Sequence, residues 1–174
     1  IPEDKNLGVK SLVGAKKVAV FDLMTFGFPC QDISVAGKGA GIKEGTRSGL
    51  YYEGYRILKA KLPKYSIIEN VKALVGKKHK ESFEMILKDL EDLGYTNYWK
   101  VLNGKDYGIP QNRERVFIIS ILGEHEPYEF PLPFDNGLRL KDMLEDEVDE
   151  KYYISNEKVK DLISRLKDNK KGEY

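Results

Sequence analysis

A single cysteine, Cys30, lies in a sequence context that suits a nucleophile. It follows an apolar run at residues 17–22 and opens a segment from Gly27 to Gly49 that contains six glycines. The thiolate form of cysteine is a strong nucleophile, and a thiol at the head of such a loop is open to a substrate. Free cysteines are more often small buried residues, so the position of Cys30 alone leaves the catalytic and the structural interpretations open.

A carboxylate and two arginines form the second group of candidates. Glu69 ends an apolar run that begins near residue 65, and Arg113 and Arg115 stand at the start of another run that reaches residue 122. A carboxylic acid can donate a proton to a substrate, and arginines two residues apart on a strand point to the same face. On position alone, a surface glutamate and two solvated arginines are the simpler interpretation.

The elements that would position these residues alternate along the chain. Apolar runs predict strands over residues 17–22, 65–69, 96–102 and 115–122, the first of them covered on both faces. Helical spacing predicts helices that end before Pro63, at Gly94 and near residue 169. This alternation indicates an open α/β sheet, in which ligands gather beyond the carboxyl ends of the strands. Cys30 and Glu69 are expected to meet at that edge.

Four short motifs resemble those of the DNA (cytosine-5) methyltransferase family, in the family's order. They are Phe28-Pro29-Cys30-Gln31 with Ser34 and Gly37, residues 47–52, Glu69-Asn70-Val71, and the sequence Gln-Asn-Arg-Glu-Arg at residues 111–115. Each motif is short enough to occur by chance, but four in one order at compatible spacing are specific. The resemblance covers residues 22–119. It implies a partial Rossmann-like, S-adenosylmethionine-dependent methyltransferase sheet with flanking helices.

The resemblance assigns chemistry to four residues. Cys30 adds as a thiolate to C6 of a cytosine in DNA, which converts the ring into an enamine that reacts at C5. Glu69 protonates N3 as a general acid, Arg115 holds the O2 atom, and Arg113 supports the same network. Three further residues are implied as structural support of the site: Asn70, Val71 and Gln111.

Contacts with DNA and with the methyl donor are implied in the same way. Residues 31–46 resemble a catalytic loop that closes behind an extruded base, with Gln31 in the vacated position. Ser34 and Arg47 are implied to bind phosphates, which hold position without reading sequence. Pro29 and Leu50 are implied to touch S-adenosylmethionine. Double-stranded DNA is the implied partner, and a restriction-modification system is the implied context.

Composition restricts the class of protein less than the motifs do. The 174 residues carry a formal net charge of +1, which leaves the partner open, although lysines cluster within residues 61–80. One cysteine and two histidines show no zinc-ligand spacing, so we expect no metal. No apolar run is long enough to cross a bilayer, so we expect no membrane partner and a cytoplasmic protein. The compact spacing of the motifs favours a bacterial or phage source.

The motifs cover only the middle of the implied enzyme. Residues 8–14 lack the aromatic residue and paired glycines of the family's donor-binding turn, and the target-recognition domain would start near or beyond Tyr174. Since the chain also begins with Ile1 rather than Met, we expect a fragment with little activity alone, or one half of a split enzyme that a companion polypeptide completes. We divide it into a partial catalytic domain at residues 1–123 and a linker with a helix at residues 124–174.

Two other functions stay open. A non-catalytic DNA-binding remnant would keep the fold without the donor site, and it would bind DNA in a salt-dependent manner without a covalent adduct at Cys30. A cysteine-nucleophile enzyme acting on free pyrimidines is the third hypothesis, and it would have no need of a base-flipping loop.

Overall fold

The computed structural model describes Gly14, residues 18–29 and residues 50–169, with side chains up to residue 165. Four predicted site residues lie outside this part of the chain: Cys30, Gln31, Ser34 and Arg47. The chain divides into two compact units, Ile1–Leu138 and Arg139–Tyr174. The boundary after residue 123 and the roles given to the two parts stay predictions.

The first unit is built on a mixed four-stranded sheet. Its strands are β1 (Leu23–Gly27), β2 (Tyr65–Val71), β3 (Tyr95–Asn103) and β4 (Glu114–Leu122), in the spatial order β1-β2-β4-β3. β1 and β2 are parallel, whereas β4 runs antiparallel to both β2 and β3. The carboxyl ends of β1, β2 and β3 therefore lie at one edge of the sheet, and β4 begins at that same edge.

Two helices pack on the sheet, as predicted. They are α1 (Tyr51–Lys61) and α2 (Lys80–Asp92). α2 buries Phe83, Ile86 and Leu90, whose spacing places them on one helical face. Gly94 follows it with a φ of 92°, a left-handed conformation that glycine adopts without a steric penalty. The α/β class with flanking helices is confirmed.

Both helices pack against the same face of the sheet. β1 turns Met24 and Phe26 to this side, β2 turns Ile68 to it, and β4 turns Val116 and Ile118 to it, and all of these belong to one buried apolar cluster with residues of α1 and α2. The opposite face is more open. On that face Leu23 is 51% exposed and Tyr65 is 44% exposed.

The predicted position of the first strand was wrong. The strand runs over Leu23–Gly27, and residues 18–22 precede it without regular structure. Val20, which lies within the apolar run, is 90% exposed, whereas Met24 and Phe26 are buried against the helices. β1 also alternates between exposed and buried residues, so it is not covered on both faces. The strand therefore ends at Gly27, closer to Cys30 than predicted.

The second unit contains the predicted last helix. α3 (Asn156–Asn169) follows two short 3-10 turns, Leu140–Met143 and Glu150–Tyr152. Leu162 and Ile163 of α3 are each about half exposed. Among the described residues, no helix combines the length and the apolar character needed to cross a membrane.

Gly54 sets the distance between α1 and β1. A Cβ atom at this position would lie 2.4 Å from Cε2 of Phe26, which is itself buried and 7% exposed. Glycine within a helix usually costs about 1 kcal/mol relative to alanine. Here the close approach reverses that preference, because the buried ring has little room to move.

We predict that Gly54→Ala lowers the free energy of unfolding by about 1–3 kcal/mol through overpacking. Urea unfolding measures the effect. The double variant Gly54→Ala/Phe26→Leu should recover part of the loss, because the smaller side chain makes room for the methyl group. If Gly54→Ala instead stabilises the protein as it does in an ordinary exposed helix, the close packing of α1 on β1 is not a constraint.

Candidate active site

An ion pair joins β2 to β4 at the edge where the parallel strands end. Glu69 Oε1 lies 2.9 Å from Nε of Arg115, and Nη1 of Arg115 also donates a hydrogen bond to the Glu114 carbonyl at 2.8 Å. The Arg115 side chain is 23% exposed and the Glu69 side chain is 39% exposed. Val71 is the register partner of Arg115, so the two charged side chains lie diagonally on the more open face.

Gly27 leaves room for the Glu69 carboxylate beside β1 because it has no side chain. It is the register partner of Glu69 in the parallel pair. A Cβ atom at Gly27 would lie 3.2 Å from the Glu69 carbonyl oxygen and 3.4 Å from Oε2 of its carboxylate. A larger residue would crowd this carboxylate. This role was not predicted from the sequence, and the signal for it is a glycine at the last position of a strand.

Asn70 points to the face opposite Glu69 and reaches the end of β1. Its side chain is 3% exposed, its Nδ2 donates a hydrogen bond to the Phe28 carbonyl at 3.1 Å, and its Oδ1 accepts one from the Val71 amide at 2.8 Å. Adjacent residues of one strand therefore serve the two faces of the sheet. Asn70 fixes the backbone two residues before Cys30.

Tyr51 packs against the ring of Phe28, whereas Asn70 binds the carbonyl of the same residue. The two rings meet edge to face with centroids 5.6 Å apart, and both residues are buried. The Tyr51 hydroxyl donates to Oδ2 of Asp89 at 3.2 Å, which ties α1 to α2. Burial, assisted by the Asp89 carboxylate, raises the pKa of Tyr51 well above its usual range, and burial also raises the pKa of Asp89. Tyr51 therefore keeps its proton as a donor.

The arginine motif follows a tight turn between β3 and β4. Arg113 is exposed and lies one residue before β4, and its carbonyl accepts a hydrogen bond from the Gly104 amide at 3.1 Å. Gln111 is also exposed and contributes its backbone amide, which donates to the Ile109 carbonyl at 2.7 Å. The structure thus brings Glu69 and Arg115 into contact, with Arg113 adjacent at the turn.

A second, more exposed ion pair also connects the end of β2 to the start of β4. Nζ of Lys72 lies 2.8 Å from Oε1 of Glu114, and their side chains are 58% and 45% exposed. Lys72 opens the 3-10 turn that follows β2, and Glu114 is the first residue of β4. The end of β2 and the start of β4 are therefore joined by side chains as well as by the strand ladder.

The two residues predicted to touch S-adenosylmethionine supply only part of a donor site. Leu50 is 46% exposed at the start of α1, and Pro29 follows Phe28 at the end of β1. Both side chains are apolar, so they suit contact with the adenine ring and the apolar carbons of the donor. The ribose hydroxyls and the amino-acid part of the donor need polar partners that neither residue offers. Among the described residues no cluster of His, Cys, Asp and Glu has a metal-binding arrangement.

Comparison of structures assigns the fold. The model superimposes on the Dnmt2 methyltransferase of S. pombe with a TM-score of 0.62 at 24% sequence identity, covering 87% of this chain and 50% of that one. It also matches the Entamoeba histolytica methyltransferase EhMeth with a TM-score of 0.57 over 78% of this chain and 42% of that one, at 24% identity. At these identities the likeness shows a methyltransferase fold.

Comparison of sequences assigns the family. The family described as C-5 cytosine-specific DNA methylase matches residues 3–174. Type II methyltransferase M2.ScrFI of Lactococcus lactis subsp. cremoris is 51% identical over 160 residues, which are 91% of this chain and 44% of the relative. The orphan methyltransferase M.SPRI of Bacillus phage SPR is 33% identical over 95% of this chain and 44% of the relative. This chain belongs to the C-5 cytosine-specific DNA methylase family. It spans about half the length of the curated relatives it matches.

We predict that the hydrogen bond from Asn70 to Phe28 contributes to stability. Asn70→Ala leaves the Phe28 carbonyl without this partner and should lower the free energy of unfolding by about 1–3 kcal/mol in urea titrations. Ser66 is the matched control, since it lies on the same face of β2, is fully buried, and its Oγ has no hydrogen-bond partner among the described residues. Ser66→Ala should change the stability little. Equal losses in the two variants would contradict the role given to Asn70.

Proposed function

We propose that this chain is the catalytic portion of an S-adenosylmethionine-dependent DNA cytosine-5 methyltransferase. The observation that carries the proposal is the contact between Glu69 and Arg115, which lies at the edge where β1 delivers Phe28 and Pro29 toward Cys30. A carboxyl group and a guanidinium set side by side can address the N3 and O2 atoms of one cytosine ring. Membership of the C-5 cytosine-specific family supports the same reaction.

The proposed reaction begins at Cys30. Its thiolate forms a bond to C6 of the extruded cytosine, and the electron pair of the C5–C6 double bond moves into the ring toward N3. Glu69 donates a proton to N3, so the ring becomes a neutral enamine with a nucleophilic C5. S-adenosylmethionine, when bound, supplies the methyl group. Loss of the C5 proton to a base, expulsion of the thiolate from C6 and return of the N3 proton to the Glu69 carboxylate then restore the neutral aromatic ring and free both Cys30 and Glu69.

The partial exposure of the Glu69–Arg115 pair supports a functional role over a structural one. Ion pairs that remain this exposed contribute about 0–1 kcal/mol to folding. Since both side chains lie on the more open face, a planar base could approach the carboxyl group and the guanidinium together. Arg115 would then hold the O2 atom, and Arg113 would support it from the turn before β4.

The contacts of Phe28 support the role proposed for Cys30, and the remaining site residues have proposed roles of their own. The hydrogen bond from Asn70 and the ring of Tyr51 hold Phe28 by its carbonyl and its side chain, which supports a fixed approach to the nucleophile. Gln31, Ser34 and Arg47 are proposed to contact DNA, with Gln31 in the place of the extruded base and the other two on phosphates. Val71 and Gln111 are proposed as supports of the strand end and of the turn.

Completion of the donor site requires more than these residues. Pro29 and Leu50 offer apolar contact alone, and the curated relatives are about twice as long as the matched part. We therefore propose that residues outside these 174 supply the polar contacts to the methyl donor and recognise the DNA sequence. They would belong either to a longer form of this chain or to a companion polypeptide. The context of a bacterial or phage restriction-modification system rests on the relatives and is part of this proposal.

A covalent trap tests the reaction class. We would replace the matched 160-residue stretch of the Lactococcus lactis relative with this chain. The chimaera would be incubated with S-adenosylmethionine and duplex DNA carrying 5-fluorocytosine in the relative's recognition site. Because fluorine at C5 cannot leave as a proton does, the adduct should persist, and mass spectrometry should find it on the peptide containing Cys30. The chain alone should give little adduct.

Four samples decide the outcome: the intact relative, the wild-type chimaera, the Cys30→Ala chimaera and the chain alone. The intact relative must be trapped, and the Cys30→Ala chimaera must not be. A well-folded wild-type chimaera that binds the DNA but forms no adduct would overturn the proposed reaction and favour a DNA-binding remnant. Adduct formation by the chain alone at the rate of the chimaera would overturn the proposal that the donor site is incomplete.

A further inference from the structure

Asn103, the last residue of β3, sits at the turn that carries the arginine motif. Its Oδ1 accepts a hydrogen bond from the Arg113 amide at 2.9 Å and a longer one from the Lys105 amide at 3.4 Å. Its Nδ2 donates to Oδ1 of Asn112 at 2.7 Å. One side chain therefore joins both ends of the turn, since Lys105 lies at its beginning and Asn112 and Arg113 lie at its end.

The backbone of the turn needs this side chain because the strand ladder stops short of it. Asn103 and Glu114 are the last register pair between β3 and β4. Beyond them, the amide of Gly104 donates to the Arg113 carbonyl at 3.1 Å. The Arg113 amide would otherwise face solvent, and Asn103 captures it as an asparagine commonly does in tight turns. The two bonds, in opposite directions, fix the peptide groups on both sides of Arg113.

The outer side of the same turn is held by a different segment. The Phe134 amide donates to the Asp106 carbonyl at 2.9 Å, the Tyr107 hydroxyl donates to the Pro131 carbonyl at 3.2 Å, and Nδ2 of Asn136 donates to the Gly108 carbonyl at 3.0 Å. These contacts reach residues 106–108 and not the arginines. The orientation of residues 112 and 113 thus depends on Asn103 rather than on these outer contacts, whereas Glu114 and Arg115 are held by the strand ladder.

We propose that Asn103 is a positioning residue for the arginines of the site. By fixing the backbone of Arg113, it holds the turn in place immediately before β4, and it thereby supports the placement of Arg113 next to Arg115, which the strand ladder holds. This inference rests on the proposed function for its effect on catalysis, whereas its effect on the turn does not. Asn103 acts through the arginines and touches neither the cytosine nor the methyl donor.

Two variants of Asn103 separate positioning from general loss of structure. Asn103→Ala removes all three hydrogen bonds. Asn103→Asp keeps the acceptor for Arg113 and Lys105, and the Asn112 amide can turn over to donate to it. In the chimaera, Asn103→Ala should slow single-turnover adduct formation at saturating DNA about tenfold, because the net free energy of one hydrogen bond corresponds to about that change in rate. The rate of Asn103→Asp should stay within about threefold of the wild-type rate. The DNA concentration at half-saturation should not change.

Asn97 provides the matched control on the same strand. Its Oδ1 accepts from the Ser120 hydroxyl at 2.7 Å and its Nδ2 donates to the Leu87 carbonyl at 3.0 Å, both far along β3 from the turn. Asn97→Ala should lower the unfolding midpoint at least as much as Asn103→Ala does, yet leave the adduct rate unchanged. Equal slowing by Asn97→Ala and Asn103→Ala, or no rescue by Asn103→Asp, would overturn the catalytic part of the inference.

Hydrogen exchange tests the positioning itself without any need for activity. The amide of Arg113 should exchange about tenfold faster in Asn103→Ala than in wild type and should stay protected in Asn103→Asp. An unchanged rate in Asn103→Ala would overturn the inference even if the chimaera is active. If the wild-type chimaera forms no adduct but the Arg113 amide responds as expected, the proposed function fails and the positioning of the turn stands.

Discussion

The pairing of β2 with β4 is the constraint on which the candidate site depends. These strands lie far apart in sequence, and their antiparallel register places Val71 opposite Arg115. Glu69 and Arg115 can then meet at 2.9 Å across the ladder. A slip of one residue would move one of these side chains to the helix-covered face, because strand residues alternate between faces. The apolar partners in the ladder, such as Ile68 and Ile118, fix the register because they must stay buried.

β2 also organises the end of β1 by using both of its faces at once. Glu69 points to the open face, and the next residue, Asn70, points to the covered face and holds the carbonyl of Phe28. Tyr51 holds the ring of Phe28 and is anchored by Asp89 of α2. The Glu69–Arg115 pair and the backbone that leads to Cys30 therefore both depend on β2. An acidic residue followed by an asparagine can therefore contribute to one site, since Glu69 pairs with Arg115 on one face while Asn70 binds the end of β1 on the other.

Local patterns predicted the parts of the fold that depend on local sequence. The spacing of Phe83, Ile86 and Leu90 predicted α2, and the apolar run after Arg115 predicted β4. The apolar run before Leu23 was misassigned, because hydrophobicity alone does not say which residues pair with β2. The antiparallel insertion of β4 between β2 and β3 was not predicted either, since strand order follows from long-range contacts.

The candidate site was predictable as a set of motifs but not as a geometry. Glu69 and Arg115 were found from the resemblance, and only the structure brings them together. The roles of Gly27 and Asn103 were missed, because each depends on a neighbour that is distant in sequence. Cys30 and the loop after it lie outside the described residues, so their geometry remains a proposal.

A double-mutant cycle on Glu69 and Arg115 tests the central claim that the two side chains act as one unit on one base. Single-turnover methyl transfer would be measured in the chimaera with Glu69→Gln, Arg115→Gln and both changes, after thermal melts confirm folding. Each single change should slow transfer by about 10²–10⁴-fold, and the double variant should be no more than about threefold slower than the slower single variant. Losses that simply multiply, or a single variant with the wild-type rate, would contradict the account.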